Sequence, residues 1–247
     1  MRNNMAEAER LQKVMAQAGV ASRRQSEKMI SEGHVKVNGK VANELGIKVT
    51  SEDKIEVDGI RLNEEPLVYY LFYKPRGVIS SVKDNKDRKV VTDYFPGVRE
   101  RIYPVGRLDY DTSGLLLMTN DGELANKMTH PKYKIDKTYV AKVNGIPSND
   151  DLKALRQGIV IDGKKTAPAH SKIISADKNK QKAIVSLTIH EGRNHQVKNM
   201  MAEIGHPVEK LKRETYGFLD LYGLTSSQYR ELSEEEVHAL KSIAERK

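Results

Sequence analysis

Residues 106–119 read Gly106-Arg107-Leu108-Asp109-Tyr110-Asp111-Thr112-Ser113-Gly114-Leu115-Leu116-Leu117-Met118-Thr119, a charged turn followed by an apolar run. Asn120-Asp121-Gly122 ends the run with a turn signal, so the run predicts a buried strand. An acid on the loop that enters such a strand is held by a rigid element and stays reachable, which suits catalysis. Asp109 is such an acid, but Asp is also common in ordinary turns, and the spacing alone fits both interpretations.

The same residues carry a resemblance to a known family. Gly106-Arg107-Leu108-Asp109, followed by Thr112-Ser113-Gly114-Leu115-Leu116, resembles the signature of bacterial ribosomal RNA pseudouridine synthases. The branch is the one typified by small-subunit synthase A and large-subunit synthases B, E and F. The resemblance implies that Asp109 is the catalytic carboxylate. It also implies that Arg107 contacts the RNA backbone or fills the stack that the target base leaves.

The composition indicates a basic protein. The chain has 247 residues, a net charge of +8 and no cysteine, and its pI is near 9.4. Excess positive charge favours a polyanionic partner, and the lack of cysteine excludes disulfides and thiolate metal sites. No apolar stretch is long enough to span a bilayer, and the N-terminus lacks a signal-peptide core. We therefore expect a cytoplasmic protein with no membrane partner. We also expect it to act as a monomer.

The N-terminal part predicts a small RNA-binding module. Residues 1–8 are expected to be disordered. Apolar spacing predicts a helix from Leu11 to Ala18, and a second helix begins at Ser22. Asn38-Gly39 predicts a hairpin that turns Val35, Val37 and Val41 inward and the lysines outward. Residues 9–62 resemble the alpha-L RNA-binding domain first described in a small-subunit ribosomal protein.

Basic residues of this module are candidates for phosphate contacts, although a solvated charged surface is the alternative. The candidates are Arg23, Arg24, Lys28, Lys36 and Lys40.

Residues 63–67 are predicted to be a linker, and residues 68–247 a catalytic domain. An aromatic strand over residues 68–73 runs into Lys74-Pro75-Arg76-Gly77, which resembles the Lys-Pro-x-Gly opening of the family's catalytic domain. We expect Lys74 and Arg76 to contact RNA. The strand over residues 137–143 contains Tyr139. This residue matches the family tyrosine that packs against the target base, although a half-buried strand tyrosine is the alternative.

The segment over residues 191–201, Glu191-Gly192-Arg193-Asn194-His195-Gln196-Val197-Lys198-Asn199-Met200-Met201, resembles the family's third motif. It is predicted to run as a helix to Gly205. The resemblance pairs Lys198 with the catalytic Asp109, and a cation there would favour the charged carboxylate. We expect Arg193 to contact RNA. A short strand is predicted over residues 215–219.

The fold class implied is α+β, with the alpha-L domain followed by a catalytic domain that has a mixed, mainly antiparallel sheet. RNA is expected in a basic cleft between the domains. The reaction moves uracil from N1 to C5 attachment without losing electrons or a group, so we expect neither a cofactor nor a metal. Asp109 would attack the ribose C1′ or remove a ribose proton. The target uridine would be flipped out of its stack.

The substrate and two rival functions stay open at this point. The runs over residues 110–114 and 191–196 resemble the large-subunit type B enzymes most, and a small-subunit substrate is the alternative. A catalytically silent ribosome-assembly protein fits the composition equally well. A metal-dependent nuclease would use Asp109, Asp111 and Asp121. The spacing of His190, His195 and His206 is not typical of a zinc site, so we expect structural or RNA-facing roles.

Overall fold

The computed structural model describes residues 8–63 and 65–243. Apart from Ala8, the segment predicted to be disordered lies outside the described residues, as does Glu64 of the predicted linker. The chain forms two compact units, one ending at Leu67 and including Arg99–Arg101, and one containing Val68–Val98 and the residues from Ile102 onward. In the described part, no helix has the length and apolarity needed to cross a membrane.

The first unit contains two helices and short strands around one apolar core. The helices are α1 (Leu11–Gln17) and α2 (Arg23–Ser31), and the strands are β1 (Glu9–Arg10), β2 (Val35–Val37), β3 (Lys40–Val41), β4 (Lys48–Val49), β5 (Ile55–Val57) and β6 (Ile60–Arg61). Ser22 caps α2, its hydroxyl accepting a hydrogen bond from the Gln25 backbone N–H at 3.2 Å. Leu11, Met15 and Ile30 pack the helices onto the strands.

The hairpin forms at Asn38-Gly39, but one of its valines faces the other way. Lys36 pairs with Val41 and Val37 with Lys40 across a two-residue turn. Residues opposite each other on a hairpin share a face, so Val41 lies on the outward face with Lys36. Val41 is 54% exposed, and Ala42 is buried instead, so the inward orientation predicted for Val41 was wrong.

The second unit is an α+β domain. Its helices are α3 (Gly122–Thr129), α4 (Asn149–Gln157), α5 (Gln196–Glu203) and α6 (Glu234–Ile243), with 3-10 turns at Val91–Tyr94 and Pro131–Tyr133. Its strands are β7 (Tyr69–Lys74), β8 (Tyr103–Pro104), β9 (Thr112–Thr119), β10 (Lys137–Asn144), β11 (Val160–Ile161), β12 (Lys164–Lys165), β13 (His170–Asp177), β14 (Lys182–Ile189), β15 (Val208–Tyr216), β16 (Leu219–Asp220) and β17 (Tyr229–Glu231).

One large sheet organises this unit. Its strand order is β13-β14-β10-β15-β9-β7-β17, with β16 beside β15 and β8 beside β9. The strands β15 and β9 run parallel, and the other ladders of this sheet are antiparallel within the described residues. The predicted fold class, α+β with a mixed and mainly antiparallel sheet, is therefore confirmed.

The apolar run of the opening motif becomes β9, an interior strand of the sheet. Its side chains alternate between two buried layers, Leu116 and Met118 in one core and Leu115 and Leu117 in the other. A strand buried on both faces needs a continuous apolar sequence, which explains why residues 115–118 show no polar alternation. The charged turn of the motif therefore lies directly before the N-terminal end of this buried strand.

Two predicted elements have different bounds. Helix α5 begins at Gln196 rather than at residue 191, because His195 adopts a left-handed backbone conformation with φ of 50°. Strand β15 covers Val208–Tyr216 rather than a short stretch near residue 215. Charged residues interrupt its apolar pattern, and pairing with strands on both sides overrides that local signal.

Candidate active site

The loop that carries Asp109 is fixed by its backbone carbonyls. The Lys74 ammonium donates hydrogen bonds to the carbonyl oxygens of Asp109 at 3.1 Å and of Thr112 at 2.9 Å. The Arg76 Nε–H donates to the carbonyl of Asp111 at 2.8 Å. The backbone N–H of Gly77 donates to the carbonyl of Tyr110 at 2.7 Å. The end of β7 and the turn after it thus bind each carbonyl of residues 109–112 and hold the acid in position.

Lys74 is a buried residue, so the prediction that it contacts RNA was wrong. Its side chain has no exposed surface, and its ammonium points at the loop carbonyls rather than at solvent. Burial lowers the pKa of Lys74 to about 8, although the charges of Asp109 and Asp111 act in the opposite direction. The sequence pattern located the segment correctly but gave no sign of which way the lysine faces.

Lys198 joins the two acids of the loop. Its Nζ lies 2.9 Å from an Asp109 carboxylate oxygen and 2.6 Å from an Asp111 carboxylate oxygen. Burial opposes the charged amine, but the hydrogen bonds to Asp111 and Asp109 outweigh it and raise the pKa of Lys198. The same contact lowers the pKa of Asp111. The His195 Nε2 lies 3.5 Å from the other Asp109 oxygen, so side-chain nitrogens of two residues flank this carboxylate.

The turn before α5 is held by a polar network. The Gln196 amide donates to the Glu191 carboxylate at 2.7 Å and accepts from the Arg193 backbone N–H at 3.0 Å. The Arg193 guanidinium donates to the carbonyls of Lys164 and Lys165 at 3.0 and 2.6 Å. Because these donors are occupied, Arg193 ties the turn to the β11–β12 pair rather than offering a free guanidinium to RNA.

A cavity of about 150 Å³ lies beside the loop. Asp109, Tyr139 and His195 are among the residues that line it. Strand β10 brings Tyr139 to this wall, with only 9% of its surface exposed. The structure therefore brings Asp109, Lys198 and Tyr139 into one region from three separate segments of the chain. The roles of these residues stay predictions from the family resemblance.

Sequence reasoning missed three polar residues of the cavity wall. Arg213 on β15 is 2% exposed, Lys137 on β10 is 8% exposed, and Thr112 at the start of β9 is 1% exposed. Arg213 pairs with Tyr139 on one side and Gly114 on the other. An inward-facing Arg in the alternation of residues 211–216 was the available signal. The local pattern hides this signal, because it predicts a strand only over residues 215–219.

Gly114 is needed for this arrangement. A Cβ added to it would lie 2.2 Å from the Arg213 carbonyl oxygen, and its φ is 117°. The parallel approach of β9 and β15 therefore requires glycine at this position. This explains in physical terms why the opening motif contains a glycine just before its apolar run.

The remaining RNA-binding candidates lie on the surface of their own units. In the second unit Arg107 and Arg76 are exposed, and Arg107 has no hydrogen bond or ion pair within the described residues. In the first unit all of the predicted phosphate contacts are exposed: Arg23, Arg24, Lys28, Lys36 and Lys40. Lys28 lies 3.6 Å from Glu32, so part of its charge is already balanced.

The geometry disfavours the nuclease alternative. Asp121 caps α3 through the backbone N–H groups of Glu123 and Leu124, and it accepts a hydrogen bond from the Tyr69 hydroxyl at 2.8 Å. Asp109 and Asp111 share a lysine rather than facing an open cation position. Across residues 8–63 and 65–243, no cluster of three or more His, Asp or Glu side chains could hold a metal.

Comparison with known proteins identifies the class. Residues 68–203 match the RNA pseudouridylate synthase family, and residues 9–55 match the S4 domain. The chain belongs to the RNA pseudouridylate synthase family, with an S4 domain before the catalytic domain.

Individual relatives agree with this assignment. The chain is 62% identical to ribosomal large subunit pseudouridine synthase B of Bacillus subtilis, over 96% of this chain and 97% of that protein. It is 42% identical to an uncharacterized RNA pseudouridine synthase of Aquifex aeolicus, over 94% and 93% of the two chains. A crystal structure of a pseudouridylate synthase has a TM-score of 0.67 and 32% identity, over 94% of this chain and 99% of that one.

Proposed function

We propose that this protein isomerises a uridine of large-subunit ribosomal RNA to pseudouridine. The observation that carries the proposal is the ion pair between Asp109 and Lys198, 2.9 Å apart, beside the cavity that Tyr139 lines. The Bacillus subtilis relative, similar over nearly its whole length, is named for the large subunit and for synthase type B. A ribosomal substrate implies work in the cytoplasm, and we propose that one chain acts alone.

The chemistry requires a single ionised carboxylate next to an extruded nucleotide. The bond between the ribose C1′ and uracil N1 breaks, and its electron pair stays on the uracil. Asp109 either bonds to C1′ or removes the ribose 2′ proton. The ring then turns and C5 bonds to C1′, either as the Asp109–C1′ bond breaks or as Asp109 returns the proton to C2′. The C5 proton then leaves, and N1 takes up a proton. Atoms and electrons balance without any further reactant.

Each residue of the site has a defined part in this proposal. Lys198 keeps Asp109 ionised through its short contact. Tyr139 stacks on the extruded ring, a contact worth roughly 1–3 kcal/mol per base, and its hydroxyl helps to move the C5 proton. Arg107 is exposed two residues before Asp109. It contacts the RNA backbone or occupies the space that the base vacates.

Cations of the two units supply affinity for RNA phosphates rather than sequence specificity. Arg76 keeps an exposed guanidinium while its Nε–H holds the loop. Arg23 and Arg24 lie in the first turn of α2, where a phosphate would meet both positive side chains and the helix N-terminus. Such contacts make binding steeply dependent on salt concentration. We propose that Lys36 and Lys40 extend this surface along the hairpin.

The test uses the complete chain with ribosomal RNA transcripts. Large-subunit and small-subunit transcripts carrying tritium at uridine C5 are incubated separately with wild-type protein and with Asp109→Asn. We expect tritium release from the large-subunit RNA only, and none with the variant. Tritium release from the small-subunit RNA would mean that this RNA is the substrate. RNA binding without tritium release would favour a catalytically silent ribosome-assembly protein. Gel filtration of the same preparation tests whether the protein is a monomer.

A further inference from the structure

Two residues that line the cavity each carry a buried polar atom with no partner among the described residues. Three buried side-chain atoms lack a hydrogen-bond partner in the described part of the chain: Ser26 Oγ, Thr112 Oγ1 and Arg213 Nη2. Thr112 and Arg213 line the same cavity, and each is at least nine-tenths buried. Buried polar atoms in folded proteins are normally paired, so unpaired donors in a cavity wall indicate the position of a ligand group.

The rest of the Arg213 side chain is firmly held. Its Nε–H donates to the backbone carbonyl of Leu115 at 2.8 Å, and its guanidinium lies 4.9 Å from the centre of the Tyr216 ring. The Tyr216 hydroxyl donates in turn to the carbonyl of Met128 at 2.6 Å. The guanidinium is therefore preorganised, with one edge bound to protein and Nη2 left for another group.

Besides the carboxylate of Asp109, the wall carries two buried cations. Lys137 Nζ donates to the carbonyls of Ile135 and His190 and lies 5.3 Å from the centre of the Tyr216 ring. Neither Lys137 nor Arg213 forms an ion pair in the described part of the chain. Burial lowers the pKa of Lys137 to about 8; the nearby Arg213 adds to that shift, and the charge of Asp136 opposes it. Two buried cations without ion-pair partners would favour negative charge that develops on a ligand in the cavity.

We infer that Arg213 is a further catalytic residue, which binds a carbonyl oxygen of the detached uracil together with the Thr112 hydroxyl. This inference rests on the proposed function. When the C1′–N1 bond breaks, the electron pair left on uracil spreads over N1 and the carbonyl oxygens O2 and O4. Donors aimed at an oxygen where negative charge develops stabilise the transition state more than the neutral substrate. Lys137, whose ammonium also lies close to the Tyr216 ring, strengthens the same field.

The experiment compares two leaving groups. Arg213→Gln and wild type are tested in single-turnover reactions on RNA with uridine or 5-fluorouridine at the target, and consumption of the target nucleoside is followed by mass spectrometry. Fluorine withdraws electrons and stabilises the uracil anion by itself. We expect the single-turnover rate of the variant to fall on the order of 10²-fold with uridine, and the fall to be about ten times smaller with 5-fluorouridine. RNA affinity and melting temperature are measured on the same samples.

Two further variants make the result decisive. Lys212→Gln removes a neighbouring charge from the opposite face of β15 and should keep both rates. Arg213→Lys keeps a cation without the planar guanidinium, so it should show a smaller loss with the same preference for 5-fluorouridine. It serves as the test if Arg213→Gln does not fold. Equal losses on both substrates, or an unchanged uridine rate, would overturn the inference. A wild-type protein that forms no pseudouridine would instead refute the proposed function.

Discussion

The ammonium of Lys74 lies 3.1 Å from the backbone carbonyl oxygen of Asp109, on a side chain with no exposed surface. A lysine is rarely buried without a carboxylate partner, and here the loop carbonyls solvate its charge. The acid of the proposed reaction is therefore positioned through its own backbone, and its carboxylate stays free to meet Lys198.

Lys74→Met tests this positioning role. The substitution leaves the carbonyls of Asp109 and Thr112 without their donor, so we expect the free energy of unfolding to fall by roughly 1–3 kcal/mol. The turnover rate should fall by at least about tenfold, since a small displacement of a catalytic group is costly. RNA affinity and its salt dependence should stay as in Lys86→Met, an exposed control lysine. If Lys74→Met instead bound RNA more weakly and with less salt dependence, Lys74 would be a phosphate contact after all.

Tyr139→Phe separates stacking from proton movement. Phenylalanine keeps the aromatic face on the cavity wall but removes the hydroxyl. We expect unchanged RNA affinity and a turnover rate lower by about 10²-fold, the range typical of a lost acid–base group. Tyr139→Leu is the matched variant, which should weaken binding as well. Normal turnover by the phenylalanine variant would exclude a role for the hydroxyl.

Arg23→Ala and Arg24→Ala test the phosphate contacts of the first unit. Both side chains are exposed, and no carboxylate within the described residues forms an ion pair with them. Each substitution should weaken RNA binding and reduce the slope of log affinity against log salt by about one. Lys28→Ala, already paired with Glu32, should change the slope less. Unchanged slopes for both arginine variants would mean that RNA does not touch this turn.

The pH dependence of stability reports on the buried Lys137. Its pKa is lowered to about 8 in the fold from an ordinary value of 10.5, chiefly by burial. Between these values the unfolded chain binds more protons, so this group's contribution to stability rises with pH. We expect the free energy of unfolding of wild type, relative to Lys137→Met, to rise by roughly 1 kcal/mol per pH unit from pH 8 to 10. A difference in unfolding free energy that does not change with pH would contradict the burial of the Lys137 ammonium.

The sequence predicted the elements of the site better than their orientation. The run at residues 115–118 indicated a buried strand because strong local apolarity and the following turn agree with the tertiary structure. Asp109 and Lys198 were paired by resemblance, and they lie 2.9 Å apart. No local pattern could tell that Lys74 points inward, because its partners are carbonyls 35 and 38 residues away in the chain.

For Arg213, the sequence failed to predict the strand that carries the residue. Charged residues dominate the segment before it, so the local pattern did not predict a strand there. The strand forms because β9 and β10 pair with it on both sides, which a single sequence does not reveal. Similarly, helix α5 begins later than predicted, at Gln196, because His195 is left-handed and a polar network around Gln196 and Glu191 replaces the first predicted turn.

The most direct measurement compares Asp109→Asn with Asp111→Asn in single-turnover pseudouridine formation on large-subunit RNA. Both carboxylates contact Lys198, but Asp111 is 56% exposed and is given no part in the chemistry. We expect Asp109→Asn to lose more than about 10⁴-fold. Asp111→Asn should stay within about tenfold of wild type, because an exposed ion pair contributes little. Full turnover by Asp109→Asn, or equal losses in the two variants, would contradict the account.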